Sequence, residues 1–137
     1  TPAAAPRPGK LELWSPWVDA TPSDPAQRAV EPKDRMLAIS GLDACGRMYA
    51  GDLPLDHHYL SPLFGDLSGL PPMAVFSGTS DILIVDGRRL AEKLRAIGAA
   101  HEFHEYPDMF HVWMLLPVPE GKQALAQAAA FIQRGTA

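Results

Sequence analysis

The apolar and polar positions divide the chain into short apolar runs separated by amphipathic or polar stretches. Leu11-Glu12-Leu13-Trp14-Ser15-Pro16-Trp17-Val18 reads as a strand over 11–16 that leaves through a turn. Pro16 has no backbone donor and belongs at its end. Met73-Ala74-Val75-Phe76-Ser77 follows Pro71-Pro72 as a continuous apolar run, the pattern of a buried strand over 73–78. His101 to Tyr106, stopped by Pro107, is a third strand candidate.

Helical spacing fills the gaps. Leu42, Cys45 and Tyr49, with Ala44 and Met48 beside them, recur at that spacing behind Ser40-Gly41-Leu42-Asp43. Those four residues have the form of an N-cap followed by an acid at the third helical position, and Gly51 suits the stop. This pattern assigns Cys45 to the core. From about Asp86, Leu90, Leu94 and Ile97 form one stripe while Arg88, Arg89, Glu92, Lys93 and Arg95 face water, and Gly98 closes the helix. Leu125, Ala128, Ala129 and Ile132 stripe a last helix, with Gly135 beyond its end. Asp19 to Pro32 is polar and proline-rich, an excursion without a core face, and Asp52 to Pro72 reads as loop. The order strand, helical excursion, strand, helix, strand, helix predicts an α/β layer with a parallel sheet. Ligands of such sheets bind beyond the carboxyl ends of the strands. Asp81 and His111 each follow a strand end and belong on one rim.

Composition narrows the options. A length of 137 residues predicts one domain, with 1–9 a Pro/Ala-rich linker and 10–137 the folded part. A net charge of −4 gives no basic footprint for nucleic acid or an anionic membrane surface. No apolar run approaches the roughly 18 residues of a membrane span. The one cysteine, Cys45, excludes an internal disulfide and favours a reducing compartment, so a cytoplasmic setting is expected. The start carries neither an initiator Met nor a signal-peptide core, which suggests processing or a piece of something longer. Asp56-His57-His58 lacks the i, i+4 geometry of a helical zinc site and has no second ligand cluster, so neither metal nor cofactor is expected.

An aspartate paired with a histidine can fix the imidazole tautomer and stabilise the imidazolium, while the histidine moves a proton for a nucleophile. Spacing alone gives more weight to a plainer reading, in which Asp81 caps a strand–helix turn and His111 is a solvated loop residue. None of the serines lies in G-x-S-x-G, the strained elbow that an activated serine needs. Gly78-Thr79-Ser80-Asp81-Ile82 comes nearest but lacks the second glycine, which leaves Ser80 a turn residue. A glycine-rich His-Gly-Gly loop is also absent.

Several ordered segments carry a resemblance. Leu13-Trp14-Ser15-Pro16-Trp17-Val18-Asp19-Ala20-Thr21 resembles the "LLSPWxDLT" segment of the hormone-sensitive-lipase-like branch of the α/β-hydrolases. Leu60 to Pro72 is similar to that branch's "ASPLxADLSGLPP". Ser77 to Leu83 resembles "VGSDExL", and Tyr106 to Trp113 resembles "WPGMxHVW". The likeness covers about residues 10–134 and is nearest to bacterial carboxylesterases and monoterpene lactone hydrolases. It implies the C-terminal part of an α/β-hydrolase fold, with strands 11–16, 73–78 and 101–106 as sheet neighbours.

The resemblance also implies roles. Asp81 becomes the acid and His111 the base of a Ser–Asp–His triad, and Trp113 and Met114 become candidates for lining an acyl pocket, with core packing the alternative. Asp86 stands where the branch often has a second acid, and reads as a helix N-terminal cap. The branch carries "HGGG" and "GDSAGG" upstream of its "SPW" segment, and this chain has neither. The implied function is carboxylic ester hydrolysis on a small ester or lactone, with the nucleophile-bearing segment as partner and the chain alone inactive. The alternative is a truncated, non-catalytic module that acts by oligomerising through the open edge of its first strand.

Overall fold

The computed structural model describes residues 6–22 and 24–135, so the first five residues of the expected linker lie outside the described residues. Three strands, β1 (Leu11–Trp14), β2 (Met73–Gly78) and β3 (His101–Tyr106), form one sheet in the order β1-β2-β3. Both pairings are parallel, with Leu11 beside Met73 and Met73 beside His101. The helices are α1 (Pro25–Val30), α2 (Ile39–Ala50), α3 (Ile84–Ala96) and α4 (Pro119–Gln133), and 3-10 turns occur at Glu31–Lys33, Pro62–Phe64 and Trp113–Leu115. None of the described helices is long and apolar enough to cross a membrane.

β2 is central and buried along its whole length, which is why it reads as an unbroken apolar run. Its side chains alternate between two cores. Ala74 and Phe76 join Tyr106, Trp113, Met114, Ala124, Ala128 and Phe131 on the α4 face. Met73 and Val75 join Val18, Leu63, Leu67, Leu90 and Leu94 on the α3 face. Helices therefore cover both faces, and the carboxyl ends of all three strands form one rim.

Some expectations shift. β1 stops at Trp14, because Ser15 turns to a left-handed φ of 49°. α3 begins at Ile84, two residues before Asp86, and Ile97 at its end is 43% exposed. Lys93, expected in water, donates to the carbonyl of Leu63 at 2.6 Å and holds the 3-10 turn against α3. The stretch from Asp19 to Pro32 contains α1, capped by Asp24 and burying Gln27, so it has an inner face after all. On α4 the buried face is Gly121, Ala124, Ala128 and Phe131, whereas Leu125 and Ile132 are exposed. The physical reason is close approach. A Cβ on Gly121 would lie 2.8 Å from the carbonyl oxygen of Leu116 and 3.0 Å from that of Trp113, so the helix docks through its small residues.

The largest departure is α2. The helix starts at Ile39 rather than after Ser40, and Glu31 supplies the cap by accepting from the Ile39 amide at 2.8 Å. The face that docks is Gly46 and Ala50. Cys45, assigned to the core, is exposed, and Met48 and Tyr49 are 84% and 77% exposed, so of that stripe only Leu42 is half-buried.

Candidate active site

The acid arm begins where β2 ends. Gly78 is followed by a tight turn in which the Asp81 amide donates to Gly78 O, and Asp81 O accepts from Ile84 as α3 starts. The Asp81 side chain is fully buried. One of its oxygens, Oδ1, accepts from the Leu83 amide at 2.8 Å, and this bond fixes the carboxylate plane. Asp34 braces the same turn: its Oδ2 accepts from Ile82 N at 2.7 Å while its Oδ1 accepts from Met36 N and Leu37 N.

The base arm begins where β3 ends, and it is stitched directly to the acid arm. Thr79 N donates to Tyr106 O and Ser80 N to Met109 O, each at 3.0 Å. Asp108, at φ 58°, donates its amide to Thr79 Oγ1 at 2.7 Å. Only glycine fits at position 78, since a Cβ there would stand 2.2 Å from the carbonyl oxygen of Met109. The loop delivers His111 so that its Nδ1–H donates to Asp81 Oδ2 at 3.0 Å. The imidazole is 23% exposed and the carboxylate 0%. The bond to Asp81 raises the His111 pKa above its ordinary value; partial burial opposes this, and the charges of Asp81 and Asp34 reinforce it. With Nδ1 committed, Nε2 is the nitrogen left for a reactant.

A groove of about 450 Å³ opens beside His111. It is lined by Ser15, Trp17, Met36, Leu83 and His111, and by Leu42 and Cys45 of α2. Beyond Cys45 a second apolar hollow runs over Trp17, Met48 and Tyr49. Trp113 and Met114 are not on this surface. Both are buried, at 0% and 2% exposure, in the core beneath α4, and the Trp113 indole donates to Glu120 O at 3.3 Å.

Asp86 is not a second partner for the histidine, nor does it cap its own helix. Its Oδ2 accepts from Val18 N and Asp19 N, each at 2.9 Å, and its Oδ1 from the Gln27 side chain, Nε2, at 3.2 Å. It thereby fastens the exit of β1 and helix α1 to the first turn of α3. Burial pushes its pKa up to about 6, against the two backbone donors, while the neighbouring Asp19 charge adds to the rise. His57 and His58 stack on each other, their centroids 4.5 Å apart, next to Tyr59. Among the described residues no three His, Cys, Asp or Glu side chains gather to hold a metal.

Two residues of this neighbourhood escape a reading of the sequence. Asp34 carries a local Asx-turn signature towards Met36, but nothing near it in sequence announces a bond to Ile82. Ser15, whose Oγ accepts from the Val112 amide at 2.9 Å, lies 97 residues from its partner.

Known proteins resemble this chain in family and fold. The chain matches the model of the alpha/beta hydrolase fold over residues 2–115. It is 32% identical over 136 residues to an acetyl-hydrolase of Streptomyces hygroscopicus, covering 98% of this chain and 46% of that protein. An esterase of Acinetobacter venetianus is 36% identical over 131 residues, covering 90% of this chain and 42% of that protein. Among solved structures, an esterase from Staphylococcus aureus, itself described as putative, superposes with a TM-score of 0.89 at 30% identity, covering 95% of this chain and 44% of that one. A hormone-sensitive lipase from a metagenome library gives 0.89 at 29% identity, covering 93% of this chain and 44% of that one. The chain thus spans less than half the length of these relatives. On the family match, the resemblance of its segments and the parallel sheet with helices on both faces, the chain belongs to the α/β-hydrolase fold family.

Proposed function

We propose that this chain supplies the acid and the base of an esterase- or lipase-type hydrolase, with Asp81 and His111 as two members of a Ser–Asp–His triad. The observation that carries the proposal is the 3.0 Å bond from His111 Nδ1 to the buried Asp81 carboxylate, on a half-open rim beside an apolar groove. In the reaction, Nε2 of neutral His111 takes the proton of a serine hydroxyl as the serine oxygen attacks the ester carbonyl. Asp81 holds the tautomer and stabilises the imidazolium, and the same proton then passes to the departing alcohol. Water repeats the sequence on the acyl-enzyme and releases the acid and the serine. The serine and the oxyanion donors come from a segment outside this chain. Short-chain acyl esters or lactones are the proposed substrates, since the groove beside His111 is apolar and the sequence is similar to carboxylesterases.

The test is hydrolysis of 4-nitrophenyl butyrate. The 137-residue chain alone is expected to be inactive, and activity should appear when it is combined with the segment that carries the serine. His111→Ala in the assembled enzyme should lower kcat by roughly 10⁴- to 10⁶-fold. Saturable turnover by the chain alone, lost in His111→Ala, would overturn the need for a second segment. A second reading, a non-catalytic module that self-associates, draws support from the exposed apolar face of α2 and the single pairing of edge strand β1. Light scattering separates the two: a well-behaved dimer of the isolated chain favours self-association, and a species that becomes soluble only with its partner segment favours the hydrolase.

A further inference from the structure

We propose that Ser15 is a positioning residue for His111, acting through the backbone of Val112. The inference rests on the role given to His111 above. Beyond Met109, the loop that presents the imidazole is hydrogen-bonded to the residue that follows β1, the Val112 amide donating to Ser15 Oγ at 2.9 Å. Ser15 is buried, with 4% exposure. Both ends of this bond are left-handed, Ser15 at φ 49° and Val112 at φ 48°. Neither is glycine, and a β-branched residue such as Val112 rarely adopts that region. Such a conformation persists only where surrounding contacts impose it. On one side Trp113 is fully buried, which pins the residue after Val112. On the other side the Ser15 amide donates to Phe76 O at 2.8 Å, which carries the β1–β2 ladder one step past the end of β1.

The connection is therefore specific. Phe76 lies in the strand that two residues later enters the acid turn, and Val112 is the residue after the base. Ser15 anchors the base loop to the acid strand, across from the stitches made by Thr79 and Ser80. Without the Oγ acceptor the Val112 amide loses its partner, the His111–Val112 peptide is free to rotate out of the strained region, and the imidazole drifts from Asp81.

The variant that isolates this role is Ser15→Gly. Glycine accepts a positive φ without strain and keeps the backbone bond to Phe76, so only the side-chain acceptor disappears. The His111 ring is followed by nitrogen-15 NMR against pH on the intact polypeptide that carries this chain. In Ser15→Gly the midpoint should move down towards the ordinary histidine value, because the bond to Asp81 that raises it is loosened. Ester turnover should fall about 10- to 100-fold in kcat, with KM changed by less than about twofold. A His111 titration identical to wild type in Ser15→Gly would overturn the proposal. Should that variant not fold, exchange of the Val112 amide in the wild-type protein decides: protection supports the bond, and free exchange refutes it. Because the titration needs no substrate, an absence of ester hydrolysis would refute the enzymatic reading while leaving the positioning result to stand or fall alone.

Discussion

The rim that carries Asp81 and His111 and the excursion that carries α2 sit on either side of one groove, yet they are built on opposite principles. The rim is closed: its strands are hydrogen-bonded to a fully buried β2, its turns are stitched at Thr79, Ser80 and Asp108, and its carboxylate has no exposure. The excursion is open. Cys45, Met48 and Tyr49 project from α2 into solvent, and only Gly46 and Ala50 dock. The Asp81–His111 pair is held by the ends of a buried strand and by hydrogen bonds that stitch its two turns together. On the α2 side, Met48 and Tyr49 face water.

Four changes break or sharpen this contrast. The largest effect belongs to Asp81→Asn in the assembled hydrolase, which should lower kcat on 4-nitrophenyl butyrate by about 10⁴-fold, since the neutral amide no longer dictates the His111 tautomer. The acid limb of the pH–rate profile should also move down, because the hydrogen bond that raises His111 is weakened. An unchanged profile would mean that the pair is structural. Next comes Trp113→Ala, which removes the largest fully buried side chain beneath the rim and should cost about 3–5 kcal/mol in urea unfolding.

A smaller effect concerns Asp86. Its native pKa of about 6 lies above the unfolded value of 3.8, so the folded state keeps the proton longer. Stability from this group is present at low pH and declines as pH rises between those two values. An asparagine can accept from Val18 and Asp19 without ever ionising. The melting temperature of Asp86→Asn relative to wild type should therefore climb over that interval and then level off, and a flat difference would show that Asp86 stays ionised. The smallest effect is Tyr49→Ser on the open side, within about 0.5 kcal/mol in the isolated chain. A loss as large as that of Trp113→Ala would mean that the α2 face is covered even there.

The same contrast marks what the sequence discloses. β2 stands where its apolar run places it, because a strand buried on both faces leaves a continuous signal; β3, mostly half-buried and polar, is legible chiefly through the Pro107 that ends it. Asp81 and His111 are legible as a pair only through the motifs around them; their spacing alone also fits a cap and a loop histidine. The α2 stripe is a true apolar face, but periodicity reports that a face is apolar and not what covers it. On α4 Ala128 of the expected stripe is buried, but the close approach at Gly121 turns the rest of the buried face to Gly121, Ala124 and Phe131. The partners of Ser15 and Asp86 lie 97 and about 68 residues away, and no local pattern encodes either contact.

Cys45 turns the open face into something that can be watched. As the sole thiol of the chain, exposed on the wall shared by the two apolar hollows, it accepts a single fluorophore at a defined place. A polarity-sensitive dye there would emit as in water while α2 is bare and shift to the blue once another surface closes over it. The time course of that colour change would follow assembly of the groove directly, with no substrate present and no residue of the rim disturbed.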